Sequence, residues 1–433
     1  MLCKQLVKSI CTLCCIYFLQ TNIFAQERNV MPASDTVRLE LRQAEQLFLT
    51  NNLQILAQKY NVDATKALII QARLYPNPNF NLEQGAYDRE TGKWFETNSH
   101  GEEAAQLTQL IVLSRKIKKQ VDIAETNYKL AEDSLYDLLR TLKLALRGAF
   151  YNIYYQQQTA KVYNEEINAL NKIVAAYKEV QGKGFVSQAE MVQVQAQLYS
   201  LQNEYQVLVD NINDEESQLR LLLQVGPYTY YKPVADTGIV NMDPLTYSLR
   251  AILDSAYTNR SDLAMAKDNM LLSQQTYNYQ KALAVPDLTL GVAYDKQGSY
   301  VQNFNAVSLG FDIPIFNRNQ GNIKNAQILI KYNNANLQLA QKTVDEQVFR
   351  GLQKAIDADR LYKGIDPAFA GSFDTLARNM MENYMKRNVS LLTFLTFYDS
   401  YKQNIVQLNT LLYNKVYALE NINFLTGSNL FDK

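Results

Sequence analysis

The stretch YPNPNFNLEQGAYD, Tyr75 to Asp88, interrupts a chain that otherwise reads as long helices. Pro76 and Pro78 disfavour helix at their own positions and at the residues just before them. After Pro78, polar and apolar residues come close to alternating, the period-two signal of a strand with one apolar face. A second copy of the switch, VPDLTLGVAYD from Val285 to Asp295, marks it as built in. There Leu288, Leu290, Val292 and Tyr294 alternate with Thr289, Gly291 and Ala293, and Val307, Leu309, Phe311, Ile313 and Ile315 alternate further on. Strands are expected near 79–87, 104–113, 287–295 and 303–315, joined in pairs by the polar loops DRETGKWFETNSHGE and DKQGSYVQN. Strands of about 9–11 residues cross a bilayer when tilted. A membrane sheet tolerates no open edge, and the smallest bacterial barrels have about eight strands. Four strands in a membrane therefore require several chains to pool them; the alternative is a soluble four-stranded sheet capping a helical bundle.

Working outward, the chain repeats itself at an offset of about 208 residues. Leu41 to Gln58 lies against Leu249 to Ala266, with Leu41/Leu249, Thr50/Thr258, Asn51/Asn259 and Ile55/Leu263 in register, and Pro78 falls against Pro286. Later the offset slips to about 203, where GFVSQAEM from Gly184 matches RNVSLLTF from Arg387. Landmarks recurring in one order indicate a duplication. Each half holds a helical arm, extended segments, a very long helix, a turn and a return helix. The expected long helices run 116–183 and 187–224 in the first half (26–225), and 322–386 and 390–426 in the second (248–428). A linker at 226–247 separates the halves.

In the first long helix, Ile117, Val121, Ala124, Tyr128, Ala131, Leu135, Leu138, Leu142, Ala145 and Ala149 fall at alternating steps of four and three, the 3.5-residue period of a coiled coil. Met191, Val194, Leu198, Leu201, Tyr205, Leu208, Ile212, Leu219 and Leu222 continue that spacing after the turn, with Glu215 as the one break. No proline occurs from Lys116 to Gly182, so a helix of about 60–70 residues reaches roughly 100 Å. In the second half, YKGIDPAFAGS from Tyr362 to Ser372 interrupts the rod, as a belt where extra chain packs outside it.

The N-terminus bears on compartment. Lys4 and Lys8 precede the apolar run Ile10 to Leu19, and Ala25 stands before Gln26, so residues 1–25 read as a cleaved secretory signal. All four cysteines, Cys3, Cys11, Cys14 and Cys15, lie inside it, without the surroundings of a lipoprotein processing site. Lys+Arg and Asp+Glu both count 43, and loss of Lys4 and Lys8 leaves 41 basic against 43 acidic residues, a balance that does not point to nucleic acid. The one histidine, His100, lies in a loop, and no cysteine follows residue 15, so neither a His/Cys metal site nor a Cys/His nucleophile can be assembled. GKGFVS lacks both the preceding strand and the glycine-to-lysine spacing of a phosphate loop. The pairs Glu165-Glu166 and Glu215-Glu216 read as solvated helix surface. No enzyme and no cofactor is expected.

A duplicated chain with a secretory signal, two β-hairpins and two long coiled-coil arms resembles the outer-membrane efflux family of TolC, over about residues 36–428. PNPNFNLEQ and QLIVLSRKIKKQVDIAE look most like the heavy-metal branch of CzcC and CusC, with a departure at Ser114-Arg115-Lys116 where that branch usually has Gly-Lys-Arg. The resemblance implies a mainly α fold with a small membrane β-barrel portion. Three copies would close a twelve-stranded barrel in the outer-membrane lipid and continue as a trimeric α-barrel across the periplasm. It further implies a periplasmic adaptor protein and an inner-membrane pump of the RND type, with this chain as the passive exit duct.

In the family the hairpin turns meet the adaptor and close the periplasmic end. The matching positions are Gly182, Gly184, Phe185, Val186 and Ser187 in the first half and Arg387, Asn388, Val389 and Ser390 in the second. Gly182 and Gly184 permit left-handed turns, and Ser187 and Ser390 can cap the helices that follow. Family members often carry acidic residues just inside the tip; here Glu190, Thr393 and Thr396 occupy those places, and a glutamate per chain would form a ring in a trimer. Trp94 and Phe95 could mark an aromatic membrane interface. Two alternatives remain: the channel of a type I protein-secretion system, and a periplasmic coiled-coil structural protein without a pore.

Overall fold

The computed structural model describes residues 35–98, 101–180, 187–297 and 301–432. The expected signal at 1–25, His100 and the tip residues Gly182, Gly184, Phe185 and Val186 lie outside these ranges. Strand β1 (Asp35–Glu40) leads into helices α1 (Leu41–Asn51) and α2 (Leu53–Ala72), then β2 (Asn79–Gln84) and β3 (Glu103–Ile111). The helices α3 (Lys116–Val180) and α4 (Gln188–Leu223) form the first long hairpin, and β4 (Thr229–Val234) follows it. The second half runs α5 (Leu249–Asn259), α6 (Ser261–Leu283), β5 (Leu288–Asp295), β6 (Phe304–Phe311), α7 (Gln320–Lys363), α8 (Pro367–Met385) and α9 (Leu391–Thr426).

At 1.5 Å per residue the 65 residues of α3 span about 98 Å, and α2, α4, α6 and α9 all pack along it. The two halves reuse local solutions. Ile55 and Leu263 are both buried, and Thr50 and Thr258 each donate to the carbonyl four residues back. Of the expected apolar face on α3, Ala124, Ala131 and Ala149 are buried, but Ala145 is exposed. From Leu146 to Tyr151 every residue of α3 is buried, because α1, α4, α9 and β4 converge there and surround the helix. A one-sided stripe is the pattern of a helix with one partner, and here α3 has several.

Four other sequence expectations are corrected or refined. The span 322–386 is two helices, α7 and α8, separated at 364–366 inside the interruption expected at Tyr362 to Ser372, where Gly364 is a weak helix former and Pro367 can only begin a new helix. Strand β6 stops at Phe311 rather than 315, since Pro314 has no N–H to give to a ladder. The linker at 226–247 carries β4, paired in parallel with β1 in the register Asp35↔Thr229 to Glu40↔Val234. Pro233 argues against a strand by sequence, yet is tolerated because among the described residues β4 pairs on one side only. Glu166 and Glu216, read as solvated, are 2% and 3% exposed.

Candidate functional site: an open-edged sheet and the hairpin ends

The four-stranded sheet has the order β2-β3-β5-β6, with every neighbouring pair antiparallel. Its register places Phe80 against Leu107, Leu107 against Val292 and Val292 against Val307, with Leu290 against Leu309 two residues along. Side chains alternate across a strand, so these residues share one face with Leu82, Leu288 and Phe311. That face is bare: Phe80, Leu82, Val292 and Leu309 are exposed, and Val307 is 85% exposed. The opposite face carries Asn79, Asn81, Glu83, Gln106, Thr108, Thr289 and Ser308, with Gly291 between Thr108 and Ser308. An apolar face this bare is a liability in water and the normal outer surface of a strand in lipid.

Two edges remain open. Among the described residues β2 and β6 each pair on one side only. Three antiparallel steps separate them, so they run in opposite directions, and β6 of one copy can continue antiparallel onto β2 of another. No described helix is long and apolar enough to cross a membrane.

The base of the sheet ties the halves together. Lys116, 5% exposed, meets Asp287 at 2.7 Å and donates to the Val285 carbonyl at 2.7 Å, while Asp287 accepts from the Leu113 N–H at 2.8 Å. Ser114 and Arg115 enter α3 in left-handed conformation, with φ of 57° and 55°. That geometry is glycine's by preference, so Ser114 carries strain that a glycine would not. At the other end of the strands, Trp94 is exposed and packs on Tyr87 with ring centroids 5.1 Å apart.

At the far ends of the hairpins the two halves use the same cap. Ser187 Oγ accepts from the Glu190 N–H at 3.1 Å, and the Glu190 carboxylate accepts from the Ser187 N–H at 3.0 Å, a capping box. Ser390 Oγ accepts from the Thr393 N–H at 3.1 Å and lies 2.8 Å from the Thr393 hydroxyl. Arg387 turns the chain at φ 62°, with the Asn388 N–H donating to the Asn383 carbonyl at 2.8 Å, and Val389 is half-buried. Glu190 is half-buried, whereas Thr393 and Thr396 are exposed. Behind these turns, the Tyr177 and Tyr384 hydroxyls join the hairpins.

The sequence reading missed the ionic joints inside the molecule. Arg147 donates to Glu45 at 2.7 Å, to both Glu420 oxygens at 2.8 and 2.9 Å and to Asp432 at 3.0 Å. Burial pushes the Glu420 carboxyl up from its ordinary range, and Arg147 opposes this. Lys415 meets Asp359 at 2.7 Å, and Lys363 bridges Asp359 and Asp243. No sequence signal marks these pairs, since Arg147 and Glu420 stand 273 residues apart. Among the described residues, no group of three or more His, Cys, Asp or Glu could hold a metal.

Residues 45–224 match the outer membrane efflux protein family. The chain is 23% identical over 311 residues to the cobalt-zinc-cadmium resistance protein CzcC of Cupriavidus metallidurans, covering 69% of this chain and 68% of that one. The fold is similar to that of CusC, with a TM-score of 0.71 at 15% identity, over 90% of this chain and 92% of that one. It is also similar to the Campylobacter jejuni CmeC outer membrane channel, with a TM-score of 0.70 at 14% identity, over 89% and 85%. The sheet, the long hairpins and these likenesses agree: residues 45–224 match the outer membrane efflux protein family, and the chain as a whole has a fold similar to that of CusC and the CmeC channel.

Proposed function

We propose that three copies of this chain close a twelve-stranded barrel in the outer membrane and act as the exit duct for small solutes driven out by an inner-membrane pump of the RND type through a periplasmic adaptor. One observation carries the reading. The sheet has a bare apolar face and two free edges of opposite direction, so repetition around an axis removes the edges and turns that face to lipid. The polar face then lines the lumen. The long hairpins extend the duct, organised as two repeat units (26–225 and 248–428) around the segment 226–247.

The segments Gly182 to Ser187 and Arg387 to Ser390 are the proposed adaptor-docking ends, because Ser187 and Ser390 cap the returning helices α4 and α9 in the same way. Glu190, Thr393 and Thr396 are the proposed lining just inside them. Likeness to CzcC favours metal ions as the exported class. The outer-membrane fraction provides the test. Heat-modifiable trimers there are the expected result, and a monomer released by osmotic shock would overturn the reading. For the lining, Glu190→Gln is expected to lower cation selectivity of the reconstituted duct; unchanged selectivity and conductance would remove Glu190 from that role.

A further inference from the structure

Between the hairpin ends and the Arg147 joint lies a second core, formed by Leu170, Ile173, Val194, Leu198, Leu201 and Phe394. A polar contact is buried beside it. Lys402 of α9, 5% exposed, meets Glu204 of α4 at 2.7 Å and Asp399 of α9 at 3.2 Å. The Tyr163 hydroxyl of α3 donates to Glu204 at 3.2 Å, and its ring lies 5.8 Å from the Lys402 ammonium. Glu166, one turn further along α3, is 2% exposed, and its Oε2 has no hydrogen-bond partner among the described residues. The groups facing it are Glu204 from α4, and Lys402, Asp399 and Tyr398 from α9; Tyr398 in turn donates to the Ala377 carbonyl of α8. Its own neighbour Glu165 is exposed. With every group ionised, three carboxylates would surround one ammonium at the place where the first hairpin packs on the second.

We propose that Glu166 is a proton-operated latch between the two hairpins: as a neutral carboxyl it lets α3 lie against α9, and its ionisation adds a third negative charge around Lys402 and loosens the contact. Burial pushes Glu166 up to about 7, with Asp399 and Glu204 adding to the rise and Lys402 opposing it. A separated hairpin returns this carboxyl to water and to its ordinary value of 4.5. The packed contact therefore holds the proton more tightly. It is firmest below the ordinary value, weakens as pH rises towards 7, and is weakest above it. The consequence for transport, easier opening of the hairpin ends at neutral and alkaline pH than in acid, rests on the duct reading above; the latch itself does not.

Hydrogen exchange on the full chain in detergent tests the latch, with rates corrected for intrinsic pH dependence. Amides of α3 around Glu166 and of α9 around Lys402 are expected to lose protection by about tenfold or more between pH 5 and pH 8. Glu166→Gln is expected to stay protected at both, as is Glu166→Leu, which covers failure of either variant to fold. Glu165→Gln is expected to follow wild type. Wild-type protection that ignores pH, neutral variants that lose protection as wild type does, or an equal effect of Glu165→Gln would each overturn the latch. In planar bilayers, open probability is expected to rise with pH in wild type and to be flat in Glu166→Gln. Exchange that responds while opening does not would overturn the gating consequence. A chain that never conducts counts against the duct, leaving exchange to decide the latch.

Discussion

Single residues divide by the face or joint they occupy. Val307 stands on the bare face of β6, so Val307→Arg is expected to cost about 2–4 kcal/mol of membrane stability and to deplete assembled protein from the outer membrane. Asn81→Lys, on the opposite face, is expected to assemble at nearly wild-type yield; equal yields for the two variants would contradict the assignment of faces. Arg147→Met leaves Glu420 buried without its cation and is expected to destabilise the fold by about 3–5 kcal/mol, seen as a lower denaturation midpoint. Ser114→Gly relieves a left-handed serine and is expected to raise stability by about 1 kcal/mol. The faces were legible in the sequence because period two survives in Leu288, Leu290, Val292 and Tyr294. The Arg147 joint was not, because ion pairs across hundreds of residues leave no local pattern. The same holds for Glu166 and Glu216: adjacent acids on a helix look like surface until the partners of that helix are known.

At the scale of elements, helix ends and helix packing carry the testable content. Ser187→Ala and Ser390→Ala each remove a cap at a hairpin end and are expected to cost about 1 kcal/mol, with faster amide exchange confined to the first turns of α4 and α9. Within α4, burial pushes Glu216 up to about 7, although Arg220 at 3.5 Å opposes the rise. A carboxyl whose folded value lies above its ordinary 4.5 holds its proton better folded than unfolded, so its contribution to stability falls as pH rises from about 4.5 to about 7. Glu216→Gln is expected to flatten that part of the melting-temperature profile, and an unchanged slope would show that Glu216 titrates elsewhere. The long helices were legible because heptad spacing and missing prolines are strong over many turns. The β1–β4 pair was not: Pro233 masks β4, and a parallel partner so far away in sequence is set by the packing of the halves.

For the whole molecule, duplication places two hairpins and two long arms side by side, and the sheet order β2-β3-β5-β6 joins the halves through its middle pair, leaving β2 and β6 outermost. Four strands with two free edges are unfinished as a membrane structure, and in the proposed trimer they supply a third of the ring. That inference was within reach of the sequence, since strand count and length set the requirement for closure. What the sequence left open was which strands form the edges, because the order depends on pairing between the halves. Conductance of the purified protein in a planar bilayer, with Ser187→Ala and Ser390→Ala combined to loosen the hairpin ends, tests the central claim most directly. Discrete unitary steps, abolished by Val307→Arg and retained in Asn81→Lys, are the expected result; a protein that assembles in the bilayer yet shows no discrete conductance would contradict the duct.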